Sequence, residues 1–341
     1  VKIVVRGTNW VGDAVMTIPA LRELRRIFPD AHISLHTRTW AEGIFQDADF
    51  IDDILPFQVE KTIIQNIHKQ ARIWQEKNFD LAVIFTNSFE SALLAKLGKV
   101  PKRFGYAKEA RSVLLTNAIK MPDWKNQRHE IFYYLNLVAE IEQSYFGKTT
   151  TLENEPRFEL NVSSNRKADA KKFLEENGVD LSKKIVAFVT GSTNSHAKRW
   201  QTEKFALLND FLQNKLDSNV ILIGAKNELV ISNEVVQKSE LKPINLTGKT
   251  TIAEVTAILS VCDLLVANDT GPAHISAALG TKTLVIFGPT NPKTTQPWNS
   301  EIIRREDVDC SPCMLRDCPI DHRCMEWIPA RDVFEKVSSL I

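Results

Sequence analysis

Hydrophobic positions along this chain follow two periods in turn. Short, nearly unbroken apolar runs predict buried strands at Lys2–Arg6, His32–Thr37, Asp53–Phe57, Leu81–Thr86 and Lys102–Ala107. Between them apolar residues recur at helical spacing, as at Val15, Ile18, Leu21, Leu24 and Ile27, and predict helices over Ala14–Phe28, Thr62–Glu76 and Ser88–Leu97. Such alternation builds a parallel sheet covered by helices on both faces, because parallel strands need crossover connections. The pattern lapses in the polar stretch Lys148–Pro156, which sets a domain boundary and divides the chain into 1–155 and 156–341. A helix over Asn165–Asn177 opens the second set, and its strands begin at Lys184. The C-terminal helix is assigned to the second unit, with packing back on the first left open. The expected class is α/β with a parallel sheet in each half.

Glycines sharpen the second half. "IVAFVTG", "NVILIG", "INLTG", "LLVANDTG" and "TLVIFG" each end a predicted strand at or near a glycine: Gly191, Gly224, Gly248, Gly271 and Gly288. The whole chain has only 13, so this clustering is informative. In open α/β sheets ligands bind outside the carboxyl ends of the strands. Glycine there lets backbone approach a ligand closely. The five together point to a small-molecule site.

Composition changes little in this picture. At 341 residues, 43% hydrophobic and 25% charged, the chain reads as a folded protein of two domains. No apolar run is long enough for a membrane span, and no signal-peptide layout opens the chain, so a cytoplasmic location is expected. A net charge of +1 gives no global field for nucleic acid. Locally, Lys96, Lys99, Lys102, Arg103, Lys108, Arg111, Lys120, Lys125 and Arg128 are opposed only by Glu109 and Asp123. That stretch is either a solvated face or a dock for an anionic partner.

The first loop, "RGTNWVGDAV", sets Gly7 and Gly12 at P-loop spacing, but Asp13 follows where a P-loop carries Lys. Phosphate-binding equipment lies instead in the second half. In "NDTGPAHISAALG" a strand meets Asp269, Thr270 and Gly271, and Pro272 suits a first helical turn. Free N–H groups near Gly271, Ala273 and His274, with the helix dipole, would form an anion site. Singly, Asp269 or Thr270 reads as a helix cap and His274 as a core histidine. The loop "GSTNSHAKRW" brings Ser192, Thr193, Lys198 and Arg199 beyond another strand end, which suits a pyrophosphate. Glu228, four residues past Gly224, could accept from ribose hydroxyls. With the nucleotide held there, Asp13 reads as an N-cap that the helix dipole keeps ionised, available as a general base.

At this point the chain resembles a known family. "WVGDAVMTIPAL", "PKRFGY", "AKRW" and "NDTGPAHISAALGTKTLVIFGPTNP" are similar to the ADP-heptose:lipopolysaccharide heptosyltransferases of glycosyltransferase family 9, and "WVGD" to their second-heptose branch. The resemblance implies a GT-B fold, with two Rossmann-like domains facing across a cleft. It implies inverting, metal-independent transfer of L-glycero-D-manno-heptose from ADP-heptose to the lipopolysaccharide inner core, on heptose-I–Kdo2–lipid A. The alternatives are Kdo2–lipid A as acceptor, or a GT-B enzyme with another nucleotide sugar, an epimerase included. Carried over by motif, Asp13 and Lys198 are catalytic. Ser192, Thr193, Lys198, Glu228, Thr250, Asp269, Thr270, Gly271 and His274 bind the donor. Trp10 and Gly12 belong with the acceptor. Assigning Arg103, Arg111 and Arg128 to the acceptor is an inference from charge, since Kdo carboxylates and core phosphates are anionic. The same basic stretch would hold the protein at the anionic cytoplasmic face of the inner membrane.

The tail, "CSPCMLRDCPIDHRCM", carries Cys310, Cys313, Cys318 and Cys324; Cys262 stands alone. Three readings stay open for the tail: a structural zinc site, reduced thiols, or a disulfide formed on isolation. No other cofactor is required. A Rossmann dehydrogenase would need Gly-x-Gly-x-x-Gly after an opening strand, which is missing. A metal-stabilised binding module built on the cysteine tail is the non-enzymatic rival.

Overall fold

The computed structural model describes residues 1–57, 62–193 and 195–341. The chain forms two compact units, Val1–Phe158 and Glu159–Ile341. The first holds strands β1 (Lys2–Arg6), β2 (His32–Arg38), β3 (Asp53–Phe57), β4 (Leu81–Ile84), β5 (Lys102–Tyr106) and β6 (Asn117–Ile119). They form one parallel sheet in the order β3-β2-β1-β4-β5-β6. The second holds β7 (Ile185–Val189), β8 (Asn219–Leu222), β9 (Ile244–Asn245), β10 (Leu264–Asn268), β11 (Lys282–Ile286) and β12 (Glu301–Ile303). Its order, β12-β11-β10-β7-β8-β9, repeats the same winding. Each sheet therefore reverses direction once, between β1 and β4 and between β7 and β10. Loops at that switch point diverge and leave a crevice, which is where doubly wound sheets bind ligands.

Burial explains the strands' composition. Val4, Ala82 and Ile84 pack with Trp74, Phe79, Ala92 and Leu94 from the covering helices Ile63–Lys77 and Phe89–Leu97 and the loop between them. In the second unit Val186, Phe188, Val266 and Leu284 share a core with Trp200, Phe205 and Leu208. The C-terminal helix Ala330–Ser338 adds Val333 and Val337 to that same core, so its apolar face is used within the second unit.

The structure corrects several elements. The helix predicted over Ala14–Phe28 is two helices, Val11–Met16 and Ile18–Ile27. Thr17 breaks the run; its hydroxyl donates to the Ala14 carbonyl at 2.6 Å, and Pro19 lies in the first turn of the second helix. Helix Glu130–Phe146 and strands β6 and β12 lie outside the elements read from the sequence. The predicted start at Thr62 is that helix's N-cap, its hydroxyl accepting from Gln65 N.

The polar stretch after Lys148 is tied down rather than loose. Glu142 Oε2 accepts from Thr149 Oγ1, Thr150 N, Thr151 N and Thr151 Oγ1, and Arg26 donates to Oε1 at 2.8 Å. Burial pushes the Glu142 carboxyl up, but these bonds outweigh it and carry it down to about 2. The division between units falls just beyond, at Phe158 and Glu159.

Candidate functional site

In the second unit, polar side chains gather at the switch point. Asn268, the last residue of β10, is fully buried. Its Nδ2 donates to the Thr190 carbonyl at 2.9 Å, and its Oδ1 accepts from Trp200 N at 3.0 Å. These bonds fix the loop after β7 against the end of β10. Lys198 stands in that loop, in the short turn His196–Lys198. Its Nζ lies 2.8 Å from Asp269 Oδ2 and donates to the Asp269 carbonyl at 3.3 Å. Thr290, beyond β11, donates to the same Oδ2 at 2.7 Å. Asp269 is buried, whereas Lys198 keeps a quarter of its side chain exposed. The cation is thus oriented from behind and open in front.

Thr270 takes the N-cap position of helix Gly271–Ala278, but its hydroxyl donates to the Asn268 carbonyl and makes no cap bond. Of the two residues read as a helix cap, Thr270 holds the position and Asp269 does not, and the cap is made without a side-chain bond. The free amide expected at Ala273 is corrected: it donates to the Thr270 carbonyl at 3.1 Å. His274 is buried one turn in. Ser192 is buried, and its carbonyl accepts from Arg199 Nη2 at 3.0 Å.

Glu228 is also buried. Its Oε2 accepts from Ala225 N at 2.9 Å, and its Oε1 from Thr193 Oγ1 at 3.3 Å. It sets the reason for two strand-end glycines. A Cβ on Gly191 would lie 2.3 Å from the Glu228 carboxyl, and one on Gly224 would lie 3.0 Å from its Oε2. At Gly288 the crowding atom is Met325 Sδ, at 2.4 Å. Close approach is what these glycines provide, as expected, but the groups that approach are the protein's own. Gly191→Ala is expected to cost about 1–3 kcal/mol through overpacking and to displace Glu228. A drop in Tm together with weakened nucleotide binding would report it. Thr250 Oγ1 is buried with no hydrogen-bond partner among the described residues, just before Thr251 caps the helix Ile252–Leu259.

The cysteine-rich tail does something the sequence did not signal. The Arg316 carbonyl accepts from Ala197 N at 2.9 Å and from Ser195 Oγ at 3.1 Å. Asp317 meets His196 Nδ1 at 2.8 Å, and His322 Nε2 lies 2.6 Å from the Ala197 carbonyl. The tail therefore buttresses the turn that presents Lys198. All five cysteines are free thiols. Burial, then the neighbouring Cys310, Cys313 and Cys318, push the Cys324 thiol up to about 11. Among the described residues, however, no three His, Cys, Asp or Glu side chains converge as metal ligands, so the zinc reading gains no support from the geometry.

In the first unit, Asp13 is not an N-cap. The cap position belongs to Trp10, whose carbonyl accepts from Ala14 N at 2.9 Å. Asp13 is the third helical residue, half-buried in the first turn, and Gly12 precedes it. It still lies at the positive end of the helix. Burial pushes the Tyr134 hydroxyl well above its usual value, and the Asp13 charge adds to the effect. Trp10 itself is 57% exposed.

The basic stretch divides in two. Arg111 is fully buried and donates to the carbonyls of Tyr106, Thr86 and Ser88, to Ser91 Oγ and to Asn87 Oδ1. Arg103 donates to the carbonyls of Leu114, Val100 and Pro101. Both staple loops to β5; full burial corrects the assignment of Arg111 to an acceptor, while Arg103 stays half-buried. Arg128 is exposed over the Phe132 ring at 4.0 Å, and Lys96, Lys99, Lys102, Lys108 and Lys120 are exposed.

Two sheets wound in the same order, with a cation and a helix start at the second switch point, define an α/β protein of the doubly wound class, whose switch points are where ligands bind. The chain belongs to glycosyltransferase family 9 (heptosyltransferase), whose pattern matches residues 67–323. It is 29% identical to lipooligosaccharide heptosyltransferase 2 of Campylobacter jejuni, over 100% of this chain and 98% of that protein. Its fold is shared with the structure of Escherichia coli ADP-heptose lps heptosyltransferase II (TM-score 0.85, 24% identity, 100% of this chain and 98% of that one). A family 9 glycosyltransferase from Veillonella parvula superposes with a TM-score of 0.87 at 22% identity, covering 99% and 96%. The GT-B class expected from the resemblance is therefore the fold observed. Among the described residues no helix is long and apolar enough to cross a membrane.

Proposed function

We propose that the protein transfers L-glycero-D-manno-heptose from ADP-heptose to a heptose of the lipopolysaccharide inner core, with inversion and without a catalytic metal. The observation that carries the reading is the partly open Lys198 cation, held by Asp269, which Thr290 steadies in turn, beside the helix start at Gly271. Family membership supplies the reaction class, and the names of the relatives supply the donor and acceptor. The acceptor hydroxyl attacks the anomeric carbon on the face opposite ADP, and Asp13 takes its proton. The bonding pair leaves with the ADP phosphate oxygen. Lys198 and the helix start stabilise the charge that develops there. Ser192, Thr193, Glu228, Thr250 and His274 line the donor loops in this reading, and Trp10 and Gly12 flank the base. The exposed lysines would hold the protein at an anionic cytoplasmic membrane face, at about 1 kcal/mol per basic residue close to the surface.

Titrating ADP, UDP and GDP calorimetrically tests the donor. Incubating ADP-heptose with heptose-I–Kdo2–lipid A, and reading the mass, tests transfer. One added heptose is expected. Addition only to Kdo2–lipid A would move the chain to first-heptose transfer, and no preference for ADP would overturn the donor.

A further inference from the structure

Lys198 and its support form a chain of contacts: Thr290 donates to Asp269 Oδ2 at 2.7 Å, and Lys198 Nζ lies 2.8 Å from the same oxygen. One segment of the cysteine-rich tail is bound to both ends of that chain. At the Lys198 end, the Arg316 carbonyl accepts from Ala197 N at 2.9 Å and from Ser195 Oγ at 3.1 Å. There His322 Nε2 lies 2.6 Å from the Ala197 carbonyl and donates to it, since a carbonyl only accepts. At the Thr290 end, Ser311 Oγ donates to the Gly288 carbonyl at 2.6 Å, and Met314 N donates to the Pro289 carbonyl at 2.8 Å. Gly288 and Pro289 lead directly into Thr290. The tail also presses on this strand end, where a Cβ on Gly288 would lie 3.2 Å from Cys324 Sγ. Within the segment, Met314 and His322 both hold left-handed backbone, at φ 60° and 55°. Residues other than glycine rarely adopt it, and it persists where the surroundings hold it. Residues 311–322 are thus shaped against the site at both ends.

We propose that residues 311–322 are a positioning brace for the donor site, which ties the Lys198 turn to the strand end that carries Thr290 and so sets where the cation meets the diphosphate. His322 is the positioning residue on the Lys198 side and Ser311 on the Thr290 side. The inference rests on the heptosyl-transfer reading for its donor and deepens it. A preorganised charge stabilises a transition state only while it is held in place. The turn that presents Lys198 is three residues long, His196–Lys198, and so short a turn holds little geometry by itself. The brace supplies the missing bonds from outside. Because Lys198 and Thr290 share one Asp269 oxygen, a shift at either end of the brace moves the same contact.

His322→Leu deletes the donor and keeps an apolar body, whereas His322→Gln puts an amide N–H within reach of the Ala197 carbonyl. In transfer assays His322→Leu is expected to lower kcat/KM for ADP-heptose by up to about 10²-fold, the loss that a displacement of about 1 Å causes. The acceptor KM should stay the same, and His322→Gln should restore most of the loss. Titrated calorimetrically, ADP should bind more weakly to His322→Leu. Adding His322→Leu to Lys198→Met should weaken ADP no further, because the residue acts through the cation. Ser311→Ala, a smaller change at the other end, should weaken ADP in the same direction and stands in should His322→Leu fail to fold. Unchanged ADP affinity in a folded variant, equal losses with Leu and Gln, or a loss that adds in full to that of Lys198→Met overturns the proposal. A second readout needs no nucleotide. Isotope-labelled methyl groups are placed on the lysines, and the NMR signal that Lys198→Met deletes is followed. It should shift in His322→Leu and return in His322→Gln. That pattern in a wild type that binds no ADP overturns the donor reading and keeps the brace; ADP binding with an unmoved Lys198 signal overturns the brace and keeps the donor.

Discussion

Lys198→Met is expected to lower kcat by on the order of 10²–10³, the usual loss when one preorganised charge at a transition state is removed. The substitution keeps the length of the side chain and deletes only the cation. Its effect on folding has to be separated, because Lys198 forms the ion pair with the buried Asp269 carboxylate. Leaving a buried charge without its partner costs about 3 kcal/mol or more. The single variant is therefore expected to lose both turnover and Tm. Adding Asp269→Asn removes the stranded charge while an amide oxygen can still accept from Thr290. The double variant is expected to recover Tm and not kcat. Recovery of both would make Lys198 a structural partner of Asp269 and remove it from the chemistry. ADP affinity should fall in both variants, since the diphosphate loses the same cation.

The strands were legible because burial on both faces of a parallel sheet leaves apolar runs that few other structures produce. The loops that carry Asp13, Lys198 and Asp269 follow from those strands, whereas the switch points depend on strand order, which no local pattern shows. Helix Glu130–Phe146 was not legible: Phe132, Tyr133 and Tyr134 favour strands, and its nine buried residues blur the helical period. β6 and β12 are three residues each, too short to show a pattern. The fate of the arginines was hidden for another reason. Arg103 and Arg111 look like free surface cations in sequence, but the Leu114 carbonyl that holds one and the Thr86 and Ser88 carbonyls that hold the other lie more than ten residues away. Thr290 was hidden in the same way, since it meets Asp269 across 21 residues. The tail drew attention to its thiols, whereas its contacts to the Lys198 turn run through Arg316, Asp317 and His322.

Asp13→Asn is expected to lower kcat by roughly 10²–10⁴, the range for loss of a positioned general base, while donor affinity stays the same. The amide matches the carboxylate in shape and cannot take a proton from the acceptor hydroxyl. The helix dipole's share of any structural cost is small, about 0.3–1 kcal/mol for a first-turn carboxylate. The helix does not depend on Asp13 for its cap, which is the backbone of Trp10. A large fall in kcat with Tm nearly unchanged therefore reports chemistry rather than folding. The pH profile separates base from bystander. In wild type, kcat/KM should carry an acid-side limb from the general base, and that limb should vanish in the variant. A variant with full turnover, or one that keeps the acid limb, would transfer the base role to another group. In that event the helix start would still orient the acceptor, and the Glu90 carboxylate, which lines a cavity with Arg6 and Asn9, would be the next residue to replace.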